Sequence, residues 1–155
     1  VVGCSQKNPK NMKQKLVEAI KAGDLPKVES ILVRNPELLN VKDRHGGTPL
    51  HLAVSNDQRD IAEFLLARGA DIDAKDNQGA TALHYEAMNG QVNMVDFLIA
   101  NGGDVNIREQ RGLAPLHFAV AEGHKEYSCY RGTWLDSSFL RRSQRRQEIN
   151  RAFDI

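Results

Sequence analysis

Three histidines, His51, His84 and His117, stand 33 residues apart, and imidazole is the side chain most used to bind metals or move protons near neutral pH. Their spacing argues against one shared site. Residues related by such a period lie on successive copies of a structural unit, and packed helices sit ~8–10 Å apart. Ligands of one zinc ion must each come within ~2.0–2.1 Å of it. No cysteine or carboxylate completes a site around any of the three. Nor is there a Ser/His/Asp or Cys/His set, a phosphate-cradling glycine loop, or a carboxylate pair with an evident task. The expectation is a chain with no catalytic residue, metal, cofactor or small-molecule substrate. His45 and His124 are solitary and expected in solvent.

The elements that carry these histidines repeat with them. Each closes a four-residue run: Thr48-Pro49-Leu50-His51, Thr81-Ala82-Leu83-His84 and Ala114-Pro115-Leu116-His117. Asp43, Asp76 and Glu109 precede Gly46, Gly79 and Gly112 by three residues, as in a turn that needs a positive φ. Gly69 and Gly102 follow apolar helical runs, where a helix end takes a left-handed residue. In 58–66 Ile61, Phe64 and Leu65 recur at helical spacing, as do Val92, Val95, Leu98 and Ile99 in 91–99. A helix pair this small cannot bury its own apolar face, so stability requires stacked units sharing one core.

The period, the tetrapeptide and the turn glycines together resemble the ankyrin repeat, whose unit is a β-turn and two antiparallel helices. The resemblance implies an all-α solenoid of stacked helix-turn-helix units with β-turn or hairpin connections. It spans 12–126: a divergent first repeat at 12–42, repeats at 43–75 and 76–108, and a partial repeat at 109–126. In the first repeat Asp24 is expected to cap the second helix, with Pro26 in its first turn, and the connection around Pro36 carries one extra residue. The resemblance also implies that each repeating imidazole hydrogen-bonds backbone in the turn before its helix. It implies too that the chain binds another protein through the concave face. Carried over by position, the turn tips are Arg44-His45, Asn77-Gln78 and Gln110-Arg111. The inner-helix ends are Ser55-Asn56, Met88-Asn89 and Ala121-Glu122. Met88 is the adaptable contact among them, and Arg111 the one able to form bidentate bonds.

One scaffold position departs from the pattern. Glu86 stands where the flanking units have Ala53 and Ala119, and a carboxylate buried there unpaired would cost several kcal/mol or take up a proton. The expectation is that it escapes to solvent at the helix flank.

Composition suits one globular unit, with 155 residues, 41% hydrophobic, 26% charged and a formal net charge of +1. No apolar run reaches the ~18 residues of a membrane span. The two cysteines, Cys4 and Cys129, lie at opposite ends and suggest no disulfide framework. Residues 1–11 read as a polar tether. Val1-Val2-Gly3-Cys4 resembles a bacterial lipobox, with Cys4 lipidated and the protein held at the cell envelope. The competing reading is a fragment boundary before a cytoplasmic domain.

Residues 127–155 break the repeat. Tyr127-Ser128-Cys129-Tyr130 stands where an outer helix is due; if Ser128 is encoded AGY, those codons read one base later would encode a suitable one, and the expectation is a frameshift, real or from sequencing, near codon 126. Two alternatives stay open: a solvated tail, and an Arg-rich tail at 141–146 that contacts nucleic acid or an anionic surface. Without an outer helix of the expected pattern, 109–123 is expected to form at most a frayed helix and 127–155 to lack stable packing against 76–108. Leu98, Ile99 and Phe118 are then expected to be exposed, and the chain to self-associate or expand.

Overall fold

The computed structural model describes residues 9–122. Within them seven α-helices follow in pairs: α1 (Pro9–Ala22) with α2 (Leu25–Arg34), α3 (Pro49–Ser55) with α4 (Arg59–Ala67), α5 (Ala82–Asn89) with α6 (Val92–Ala100), then α7 (Pro115–Ala121). A 3₁₀ turn at Pro36–Leu38 fills the longer first connection. No strand occurs among the described residues. The fold is an all-α solenoid.

Local chemistry fixes the helix starts. Pro49 and Pro115 open α3 and α7, where a missing N–H is no loss. The Asp24 carboxylate accepts from the Lys27 N–H at 3.1 Å and caps α2. Pro9 to Asn11 belong to α1, so helix extends into the stretch expected as a tether. Cys4 and the rest of the expected tether, His124, and the segment 127–155 lie outside the described residues.

Between the inner and outer helix of each unit the chain turns through a residue with positive φ. Gly23 (+69°) and Gly90 (+73°) serve in the first and third units, whereas the second uses Asp57 at +55°. Aspartate is one of the few side chains that tolerates this region.

The inner helices α1, α3, α5 and α7 stack side by side, and each outer helix packs on its own inner partner, with sparse contact from one outer helix to the next. Leu16, Ile20, Leu50, Val54, Ile61 and Leu65 are among the side chains buried in the shared core. α7 is formed rather than frayed. It lies on α5 with Leu116 and Ala119 buried, and the Phe118 ring meets His84 edge-on at 5.8 Å. The expected exposure is corrected accordingly: Leu98 is 1% exposed, and Ile99 and Phe118 are half-buried. Leu98 is covered because it belongs to the core shared within its own unit, and Phe118 because its inner-helix neighbour is already in place. The large hydrophobics left exposed among the described residues are Val33 and Val120.

Candidate functional site

Each turn is built around one carboxylate. Asp43 Oδ1 accepts from the His45 and Gly47 N–H groups at 2.8 and 2.9 Å. Asp76 Oδ1 accepts from Gln78 and Ala80 at 2.8 and 2.9 Å. Glu109 Oε1 accepts from Arg111 and Leu113 at 2.9 and 3.3 Å. Burial opposes ionisation of Asp76, yet bonds from the Tyr85 hydroxyl and the Gln78 and Ala80 amides hold it below the usual carboxylate range. Burial first and the bond to Asp76 second push the Tyr85 hydroxyl up to about 12. Glu109 is also depressed: burial opposes this, but its backbone bonds and the Arg111 guanidinium prevail.

The turns are tied to one another. The Asn77 N–H donates to the His45 carbonyl at 2.9 Å, and the Gln110 N–H to the Gln78 carbonyl at 2.9 Å. Side-chain amides repeat the link, Asn77 Nδ2 to the Arg44 carbonyl at 2.9 Å and Gln110 Nε2 to the Asn77 carbonyl at 2.7 Å. Two of the tip residues expected to be free for binding therefore also serve the scaffold. Glycine is required at Gly46, where φ is +82° and an added Cβ would stand 2.5 Å from the Asn77 backbone nitrogen.

The repeating histidines are helix caps. Nδ1 of His51, His84 and His117 accepts the N–H of Thr48, Thr81 and Ala114 at 3.3, 3.1 and 3.0 Å, the return half of a capping box with imidazole in place of Glu or Gln. This leaves the proton on Nε2. In His84 that nitrogen faces the next unit's Leu113 carbonyl at 3.2 Å. For His51 the corresponding carbonyl, Ala80, acts on the ring but lies outside hydrogen-bond geometry, so Nε2 is buried without a partner. Burial lowers the pKa of all three rings. No cluster of three or more His, Cys, Asp or Glu able to hold a metal occurs among the described residues.

The remaining candidates lie at the turn tips and inner-helix ends. Arg44, His45, Gln78 and Arg111 are exposed at the tips, and Ser55, Asn56, Asn89 and Glu122 at the inner-helix ends, with Met88 half-buried. Two contacts join tips to helices: the Tyr85 hydroxyl donates to Asp76 Oδ2, and the Arg111 guanidinium sits 5.4 Å over the Phe118 ring. Arg111 is also paired with Glu109 at 3.3 Å, and Arg44 Nε donates to His45 Nε2 at 3.0 Å. Sequence reasoning missed Tyr85, which shares a period-related column with Leu52 and Phe118. It also missed the lysines described below.

Glu86 does not escape to solvent. It is 2% exposed, its Oε1 has no hydrogen-bond partner, and burial, then the nearby Asp57 carboxylate, push its pKa up to about 7. The backbone of α5 lies too deep between α3 and α7 for a side chain of this length to reach water.

Two family models match, both described as ankyrin repeats, one over residues 31–86 and the other over 69–130. The chain belongs to the ankyrin repeat family. It is 39% identical over 66 residues to an ankyrin repeat protein of fowlpox virus, covering 43% of this chain and 16% of that one. It is 37% identical over 71 residues to the human mitochondrial disaggregase, 46% of this chain and 10% of the relative. It is 41% identical over 58 residues to the human protein phosphatase 1 regulatory subunit 27, 37% of each. The matches thus span far less than the full length of these relatives. Ankyrin repeats are protein–protein interaction modules.

Proposed function

We propose that the chain is a scaffold that holds a partner protein against the face formed by the turn tips and inner-helix ends, and that it performs no chemistry of its own. The observation that carries this reading is a division between period-related positions. Residues 43, 76 and 109, and 51, 84 and 117, keep their chemical type and are consumed in the hydrogen bonds of turn and cap. Residues 45, 78 and 111 change from His to Gln to Arg, and 55 and 88 from Ser to Met. Variation at these positions, beside turn and cap residues that keep their type, suits a surface fitted to a partner. The histidines support the non-enzymatic half of the proposal, because each Nδ1 is already occupied by backbone. The relative named as a regulatory subunit of a protein phosphatase supports a protein as the ligand.

The test is a triple substitution, Arg44→Ala, Met88→Ala and Arg111→Ala, on a partner isolated with the unaltered chain. Calorimetric affinity should fall at least about tenfold, since a few central residues dominate most interfaces, with helicity unchanged. Unchanged affinity would remove this face from consideration.

A further inference from the structure

The carboxylates of Asp43, Asp76 and Glu109 are engaged by backbone N–H groups, and the Glu109 side chain is only 4% exposed. The residue before each carboxylate is a cation: Lys42, Lys75 and Arg108, one period apart and all exposed. Lys42 Nζ reaches across to the Lys75 carbonyl at 2.8 Å, and Lys13 Nζ makes the same step onto the Lys42 carbonyl. Each of these ammonium groups therefore sits between successive units, with two N–H bonds left to give. Arg108 is held to its own turn through the Gly112 carbonyl at 2.8 Å. A row of cations thus runs across the array beside turn carboxylates already engaged by backbone N–H groups, with Asp43 exposed, Asp76 half-buried and Glu109 buried.

We infer that this row anchors an acidic polypeptide segment lying extended along the tips; the inference rests on the scaffold reading above and names the chemistry of its partner. Geometry sets the register. Neighbouring units are ~8–10 Å apart, as packed helices are, and a chain in the extended polyproline II conformation advances ~3.1 Å per residue with three residues per turn, which puts every third side chain on one face. A carboxylate at every third position would then meet successive cations. Nucleic acid fits less well. Tyr85 and Phe118, the aromatic rings of this edge, are half-buried and engaged within the array rather than open to stack on bases.

The experiment uses the full chain and two labelled twelve-residue peptides, one with Glu at every third position among Gly and Ser, the other with Lys in its place. Fluorescence anisotropy should show binding of the Glu peptide only, weakening about tenfold between low and physiological salt as exposed charges are screened. Combined Lys42→Glu, Lys75→Glu and Arg108→Glu should abolish binding. The corresponding Gln variant, which keeps a donor but no charge, should bind at an intermediate level, and circular dichroism should show both folded. Failure to bind the Glu peptide, equal binding by the charge-reversed variant, or displacement by a lower concentration of single-stranded oligonucleotide would each overturn the inference. A natural partner weakened by the Arg44, Met88 and Arg111 substitutions but not by charge reversal would sink the row and leave the scaffold reading intact.

Discussion

Asp57 and Glu86 stand in adjacent units with charges of the same sign, and each occupies a position that another unit gives to a smaller residue. Asp57 holds the left-handed turn that Gly23 and Gly90 hold elsewhere, and Glu86 fills the buried site of Ala53 and Ala119. The carboxylate at 57 helps keep the one at 86 protonated. Since the folded pKa of Glu86, about 7, lies above its ordinary value, its contribution to stability is complete below the ordinary carboxylate range. It is lost as pH rises toward and through 7. At up to ~1.4 kcal/mol for each pH unit separating the folded from the ordinary pKa, the loss is on the order of 3 kcal/mol. His51, His84 and His117, lowered by burial, act oppositely: their contribution is complete above the ordinary histidine pKa and falls on acidification. Thermal midpoints from pH 5 to 9 should therefore show Glu86→Gln losing the wild-type decline on the alkaline side while keeping the acid one. Superimposable profiles for the two proteins would contradict the burial of an unpaired carboxyl.

Asp57→Gly should relieve both strains together. Backbone in the left-handed region becomes easier by about 1 kcal/mol, and the like charge beside Glu86 is removed. Chemical denaturation should show a gain near that size at pH 8 and a smaller one at pH 5, where Glu86 is already protonated. A loss of stability at both pH values would show that the Asp57 side chain supports the turn in a way its backbone angle does not suggest.

His84 and His51 share one capping role but differ at the other nitrogen. The His84→Ala substitution loses the link to Leu113 as well as the cap, whereas His51→Ala loses the cap and an already unpaired atom. The His84 change should be more destabilising by about 1 kcal/mol, the net worth of one hydrogen bond, as read from urea midpoints. Equal losses would mean that the unit-to-unit bond contributes nothing.

Much of this architecture is legible in the sequence because the period repeats backbone requirements. Gly46, Gly79 and Gly112 have positive φ, and Asp24 caps α2, as their types and positions imply. What the pattern conceals is depth. Spacing identifies Glu86 as the odd member of its column but not how far the α5 backbone lies from water, and that distance decides whether a carboxylate can escape. α7 departs from expectation for a related reason: its missing outer partner suggests fraying, yet an inner helix rests first on the inner helix before it. The cations at 42, 75 and 108 are visible as a column in the sequence. Their significance depends on the turn carboxylates being engaged by backbone N–H groups, which spacing alone does not reveal.

The lateral bonds between turns have a mechanical consequence. Neighbouring turns are riveted by backbone and side-chain bonds, while successive outer helices scarcely touch. Under load the two edges of the array should yield unequally, with the outer-helix side fanning open and the turn edge keeping its spacing. The protein is then a flexible rod with one inextensible edge. A ligand lying along that edge would meet graduations of constant interval however far the rod is bent.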